Sequence, residues 1–440
     1  MRDFMDRKHL EWAQRTTLGA WTLVLAIPFL LLSAGLASTR SARSSSLPGS
    51  AAVHQSHGTA GVKFKVLYSF AGGADGGVPS AGVVLDRSGN AYSTTQYGGD
   101  LTCNSGHGCG TVFKLDPTGK ETVVHAFQGA TTDGSIPMGD LLLDNKGNLY
   151  GTTYFGGGSP NCNGGCGTVF KLTPKGKKWA ETVLYSFTSD PDGAHPSAGL
   201  VMDSDGNLYG TTQYGGASGE GTVFKLDTAR NETILYSFQN NGVDGEVPLC
   251  TLLRDRSGNL YGTTYFGGSS TNCAGGCGTV FKLGSADNET ILYNFTGGSD
   301  GNNPPAGLVR DKSGLMYGTA GPSPYFSGTV FKLDQNGTFS VVYDFGSGRP
   351  HDGGQPNARL LRGRSGNLYG TTAIGGYSDI GTVFKINNEG KETVLYNFLG
   401  GSDGGEPLGD LVMDDKGNLY GTASAYGAHG QGVVFKISPK

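Results

Sequence analysis

From Val62 onwards the chain alternates short apolar runs with clusters of glycine, asparagine and aspartate. The stretch Ser197 to Phe238 shows the pattern: "SAGLVMD", "SDGN", "LYGTTQYGGASGEGTVFKLD", "TARN", "ETILYSF". Runs rich in Val, Ile, Tyr, Phe and Thr between turn residues predict strands. Four are expected here: strand A over Gly199–Asp203, B over Leu208–Thr212, C over Gly221–Leu226 and D over Glu232–Phe238. The A–B turn is D-x-x-G-N at Asp86, Asp144, Asp203, Asp255 and Asp414, with Leu315 in place of Asn after Asp311 and Gly363 in place of Asp. Asp accepts hydrogen bonds from such a turn and Gly supplies its positive φ. The C–D turn is as short, so successive hairpins build a four-stranded antiparallel meander.

The meander repeats. "GTVFKL" begins at Gly110, Gly167, Gly221, Gly278, Gly328 and Gly381 (there "GTVFKI"), and "GVVFKI" at Gly432, in steps of 57, 54, 57, 50, 53 and 51 residues. A period of this length means a solenoid or a propeller. The first repeat phrase, "VKFKVLYSF" from Val62 to Phe70, is a D strand without its A, B and C. The last, Gly432 to Ile437, is a C strand without its D. Together they complete one blade and remove the exposed edges, which a ring requires and a solenoid does not. The expectation is an all-β, seven-bladed β-propeller over residues 62–440, closed by its N-terminal strand.

Composition adds the compartment. Charged residues are 16% of the chain and the net charge is −4, so no basic field attracts nucleic acid. Residues 1–37 carry Arg2, Arg7, Lys8 and Arg15 before an apolar run from Leu18, the pattern of an export signal or an N-terminal membrane anchor. The Ser-, Ala- and Gly-rich residues 38–61 are expected to be a flexible tether. A membrane is expected to matter only through that N-terminal segment.

The phrases "GNLYGTT", "GTVFKL", "TVLYSF" and "DGxxP" resemble the GloVer tandem repeat of bacterial surface proteins, over Val62 to Lys440. The resemblance implies secretion and an anchor that differs between members. With "KISPK" as its last residues, this chain is expected to carry any anchor at the N-terminus. It implies no activity for any residue.

In a propeller the D–A and B–C connections share one face, and here these are the long ones, where binding residues usually sit. Loop D–A carries "DGxxP" seven times, at Asp75, Asp133, Asp192, Asp244, Asp300, Asp352 and Asp403. The sequence favours a turn over a cation site there. "GGSDG" at Gly297 and Gly400 mimics a hydrolase elbow, but it lies in that same loop rather than between strand and helix. Loop B–C carries Tyr97, Tyr154 with Phe155, Tyr214, Tyr265 with Phe266, Tyr325 with Phe326, and Tyr426; the sixth copy has Ile374 and then Tyr377. Tyr97, Phe155, Tyr214, Phe266, Tyr325 and Tyr426 are candidate ligand-binding residues, since exposed aromatics stack on sugars or anchor a protein partner. Packing of the blade tops is the competing role.

The same loops hold Cys103 and Cys109, Cys162 and Cys166, and Cys273 and Cys277. Oxidising conditions favour three local disulfides over zinc, each contributing about 2 kcal/mol in the chain-entropy view. Cys250 is left as a free thiol. No catalytic motif, metal or cofactor is expected. The chain thus reads as an exported, monomeric, non-catalytic module with a glycan or protein ligand at the cell surface or in the periplasm. A polysaccharide-acting enzyme with its site at the channel mouth, and a purely structural module, remain open. The discriminating feature is whether polar groups of single blades, such as His195, Glu220, Arg349 and His351, converge in space.

Overall fold

A computed structural model describes residues 61–439, except 130, 285–287, 324–326 and 347–348. The expected export segment and the tether up to residue 60 lie outside the described residues. Seven four-stranded antiparallel sheets follow one another along the chain. In the first, Val84–Leu85, Ala91–Thr95, Thr111–Leu115 and Glu121–Ala126 take positions A to D. The seventh joins Val412–Met413, Leu419–Ala423 and Val433–Pro439 to Val62–Ser69, with Val62 opposite Pro439 and Ser69 opposite Val433. The fold is the seven-bladed β-propeller, and its N-terminal strand closes the ring.

Strand A is shorter than its sequence suggests. In the third blade only Val201–Met202 pair with strand B. The residues before them face the neighbouring blade instead: the Ala198 carbonyl accepts the Thr152 hydroxyl at 2.8 Å, and Leu200 is buried. Strand D carries a bulge at the Leu of "LYSF", so that Tyr236 opposes Val223 while Ile234 opposes Phe224. A bulge here increases the twist of the outer strand.

The core lies between blades. The Phe that ends each strand D meets, edge to face, the Phe of strand C in the next blade: Phe70–Phe113, Phe127–Phe170, Phe187–Phe224, Phe238–Phe281, Phe295–Phe331, Phe345–Phe384 and Phe398–Phe435. Ring centroids are 5.0 to 5.4 Å apart, within the range favoured by the aromatic quadrupole. The glycine of "LYGTT" makes room. A Cβ at Gly210 would stand 2.7 Å from Phe224 Cζ, and one at Gly262 2.5 Å from Phe281 Cζ.

Phe70 and Phe238 are both fully buried and make the same contact at different seams. Phe70→Ala is therefore expected to destabilise the protein about as much as Phe238→Ala, by about 3–5 kcal/mol. Chemical denaturation reads this, and a Phe70 variant as stable as wild type would refute ring closure.

Candidate functional site

The long-loop face is built on one repeated backbone device. The residue before each proline of "DGxxP" lies in the left-handed region: Val78, Ile136, His195, Val247, Asn303, Gln355 and Glu406 have φ between 42° and 57°. A branched Val or Ile there is strained. The strain is held by hydrogen bonds to two blades. The Ile136 N–H donates to the Cys109 carbonyl at 2.8 Å, His195 to Cys166 at 2.7 Å, Asn303 to Cys277 at 2.7 Å and Glu406 to Ile380 at 2.8 Å. In the other direction the Ile136 carbonyl accepts from Tyr154 N–H, and that of Glu406 from Ser424 N–H. Val78, Ile136, His195, Val247, Gln355 and Glu406 thus clasp one blade to the next, while at the fifth blade the Asn302 carbonyl takes the place of the Asn303 one.

This geometry explains the cysteines. Bridges join Cys103 to Cys109, Cys162 to Cys166 and Cys273 to Cys277. The second cysteine of each pair carries the carbonyl that accepts the clasp hydrogen bond. The disulfide therefore roots a long loop at the seam between blades. Cys250 is free and buried, and its sulfur accepts the Thr263 N–H at 3.2 Å.

The "DGxxP" aspartates are internal partners. Asp192 accepts the Tyr185 hydroxyl at 2.7 Å and the Thr188 N–H at 3.1 Å; Asp244 accepts Tyr236 and Gln239 N–H; Asp403 accepts Tyr396 and Leu399 N–H. In the first blade His125 replaces the tyrosine and lies 3.5 Å from Asp133. Among the described residues no cluster of three or more His, Cys, Asp or Glu could hold a metal ion. Glu121, Glu181, Glu232, Glu289 and Glu392 face these aspartates from the next blade. Burial first, and then the charges of Asp75, Asp133, Asp192, Asp244 and Asp352 in turn, push each to about 7. Where phenylalanine replaces this glutamate it stacks on the tyrosine ring instead: Phe64 on Tyr396 at 3.7 Å and Phe339 on Tyr293 at 3.9 Å.

The candidate aromatics divide. Tyr97, Phe155, Tyr214 and Phe266 share one register, each pairing its backbone with the loop that enters its blade. Tyr97, Phe155 and Phe266 are half-buried, while Tyr214 is exposed. Tyr426 is exposed too, but it sits one residue further on, with Ala425 in the shared register. Tyr325 lies outside the described residues. His195 stacks on Tyr154 at 4.5 Å, and Glu220 accepts the Asn240 amide at 2.7 Å. Arg349 covers the Tyr343 ring and His351 lies 4.0 Å from Tyr377. These four polar residues find partners in two separate sectors, around the third blade and the sixth.

Convergence occurs elsewhere, on the axis. The residue two before strand A is Gly82, Asp140, Gly199, Thr251, Gly307, Arg359 and Asp410 in the seven blades. Asp140 accepts the Gly82 N–H at 2.5 Å, and Gly199 N–H donates to the Thr251 hydroxyl at 3.0 Å. Arg359 donates from N–H and Nε to Asp410, both at 2.8 Å, and reaches Asp140 at 4.0 Å. Burial, with the Asp410 charge and a hydrogen bond to it, raises Asp140 well above the carboxylate range. The side chains still keep 20%, 35% and 18% exposure for Asp140, Arg359 and Asp410, so they lie deep but open into the channel. Five threonine hydroxyls, such as Thr152 and Thr422, reach a carbonyl of the next blade. Thr94 and Thr371, which precede the two aspartate-bearing blades, are buried without such a partner.

A profile described as the Gloeobacter/Verrucomicrobia repeat matches residues 49–275 and 251–440. The chain belongs to this repeat family. No curated protein matches it. Among solved structures it is similar to the extracellular domain of a one-component system from Bacteroides thetaiotaomicron, at 11% identity and a TM-score of 0.53. That match covers 84% of this chain and 39% of the other, so the chain spans about two fifths of that domain's length. A Bacteroides uniformis protein described as a 6-phosphogluconolactonase is similar at 15% identity and a TM-score of 0.45, over 71% of this chain and 84% of the other. At 11% identity the likeness to the extracellular domain shows the fold alone.

For this member of the Gloeobacter/Verrucomicrobia family, the axial trio escaped the sequence reading because each member is a single departure at a position without a motif. Aligning the residue two before strand A would have found it. Burial and the Asp410 charge disfavour a charged Asp140, and Asn keeps an acceptor for the Gly82 N–H, so Asp140→Asn is expected to change stability little. Arg359→Met leaves Asp410 without its cation and is expected to cost about 3 kcal/mol. Denaturant melts of the two variants read the contrast, and equal losses would refute the raised value of Asp140.

The five glutamates supply a pH dependence. Their folded value of about 7 exceeds the ordinary 4.5, so the folded state binds more protons than the unfolded between these limits. Stability is fully present below pH 4.5 and is lost as pH rises to about 7. The melting temperature is expected to fall across that window, and to do so less steeply after Glu→Gln at all five positions. An unchanged slope would sink this assignment.

Proposed function

We propose that this protein is an exported, non-catalytic binding module whose ligand, a glycan or a protein, meets the long-loop face. The observation that carries the reading is the placement of exposed apolar side chains. Among the described residues, Leu101, Tyr214, Val243, Tyr377, Leu399 and Tyr426 stand exposed in long connections, and Val341 on an outer strand. The opposite face consists of tight Asp- and Gly-bearing turns whose side chains bond their own backbone, as Asp203 does with Asn207. Aromatic and aliphatic groups gathered on one rim of a rigid scaffold suit recognition. The three disulfides support an oxidising compartment. The axial carboxylates are engaged with Arg359 and with each other, which leaves no free acid–base pair there.

A blocking experiment tests the face. Ser378→Cys on a long loop and Lys416→Cys on a short turn are each capped with a polyethylene-glycol maleimide. Capture of the full chain on arrays of glycans and of cell-envelope proteins is expected to fail for the Ser378 adduct and persist for the Lys416 adduct. The reverse pattern, or no capture by the unmodified chain, would overturn the proposal.

A further inference from the structure

At the seam of the sixth and seventh blades one residue breaks the repeat in an informative way. Tyr426 stands where other blades have Gly98, Gly215, Gly267 and Gly375, all with φ between 74° and 82°. A Cβ at Gly215 would lie 2.2 Å from the Ser189 carbonyl oxygen, and one at Gly375 2.3 Å from that of Asp352. The seventh blade nevertheless holds a tyrosine there, at φ 61°. Strain of this kind in a non-glycine residue clusters where structure serves a ligand. His351 and Asp379, on the neighbouring loops of the sixth blade, share it at 63° and 59°.

The Tyr426 ring is braced from below. A Cβ at Gly405 would fall 2.7 Å from its Cδ2 and one at Gly400 3.5 Å from its Cδ1, with Ile380 Cδ1 within 3.3 Å of both points. The ring rests on glycine backbone beside Ile380, and 40% of the residue stays open. Tyr377, 52% open, is held by the His351 ring at 4.0 Å. Exposed Asp379, Glu406 and His429 stand in the same loops. Loops 373–380, 399–407 and 424–431 contain no lysine or arginine, and Arg349, in the loop that carries His351, lies over the Tyr343 ring.

We infer that Tyr426 and Tyr377 form a stacking platform for a neutral pyranose sugar, an assignment that rests on the binding role proposed for the long-loop face. An aromatic face is electron-rich, and the C–H face of a pyranose carries the complementary positive edge. Carboxylates and imidazoles beside the rings accept hydroxyl hydrogen bonds. The exposed carboxylates of Asp379 and Glu406, with Arg349 drawn over the Tyr343 ring, disfavour anionic ligands. Rings already braced lose little freedom on binding.

The test uses the full chain and immobilised neutral oligosaccharides of glucose, mannose and N-acetylglucosamine. Tyr426→Gly restores the residue of the other blades. It is expected to bind the captured sugar at least tenfold more weakly while melting within a few degrees of wild type, because the backbone strain is relieved. Tyr377→Ala is expected to weaken the same sugar. If both variants bind like wild type while the Ser378 adduct is still blocked, the site lies elsewhere on the face and this inference falls alone. Capture of a protein but no neutral sugar overturns the ligand class. Sugar capture indifferent to the Ser378 adduct overturns both readings.

Discussion

Each blade ends in a phenylalanine edge that has no place in its own sheet. It fits only against the strand C phenylalanine of the next blade, whose ring tip comes close to a strand B glycine in six blades and which stands opposite Ser93 in the first. Seven such contacts run without a break around the ring, and the seventh, Phe70 with Phe113, exists because the N-terminal strand supplies Phe70. Burial of a large aromatic contributes far more than a surface ion pair. The contact holds neighbouring blades together at every seam, with ring centroids 5.0 to 5.4 Å apart.

The backbone carries the complementary constraint. A left-handed residue before proline would cost about 1 kcal/mol or more in isolation, yet it recurs at every seam, and at six of the seven it places an N–H toward one blade and a carbonyl toward the next. Aromatic packing holds the blades together and the clasp fixes their angle. Disulfides at Cys109, Cys166 and Cys277 fasten the acceptor end of three clasps. Loops that leave from such fixed roots can vary in length and side chain without disturbing the ring.

Much of this was legible in the sequence, because a repeated contact leaves a repeated word. "GTVFKL", "LYGTT" and "LYSF" encode the two phenylalanines and the glycine between them, and the offset at Val62 encodes closure. The paired cysteines were legible for the same local reason. Strand A was overestimated, since Gly199 and Leu200 look like strand but serve the neighbouring blade. What function needs was harder to see. Asp140, Arg359 and Asp410 are far apart in the chain, and only the ring brings them to one axis. Tyr426 looked like one more member of an aromatic series, while its backbone occupies a glycine position one residue later.

The blade assembled from both ends has a consequence for how the molecule is made. Synthesis delivers Val62–Ser69 first and Val433–Pro439 last. Six blades can form in order as the chain emerges, but the first strand must wait through all of them for the partner that lies opposite it. A product broken off anywhere before that last strand keeps an unpaired edge and an open seam. The ring is sealed only once Val433–Pro439 has been made and has met Val62–Ser69; until then two strand edges stay open to mispairing.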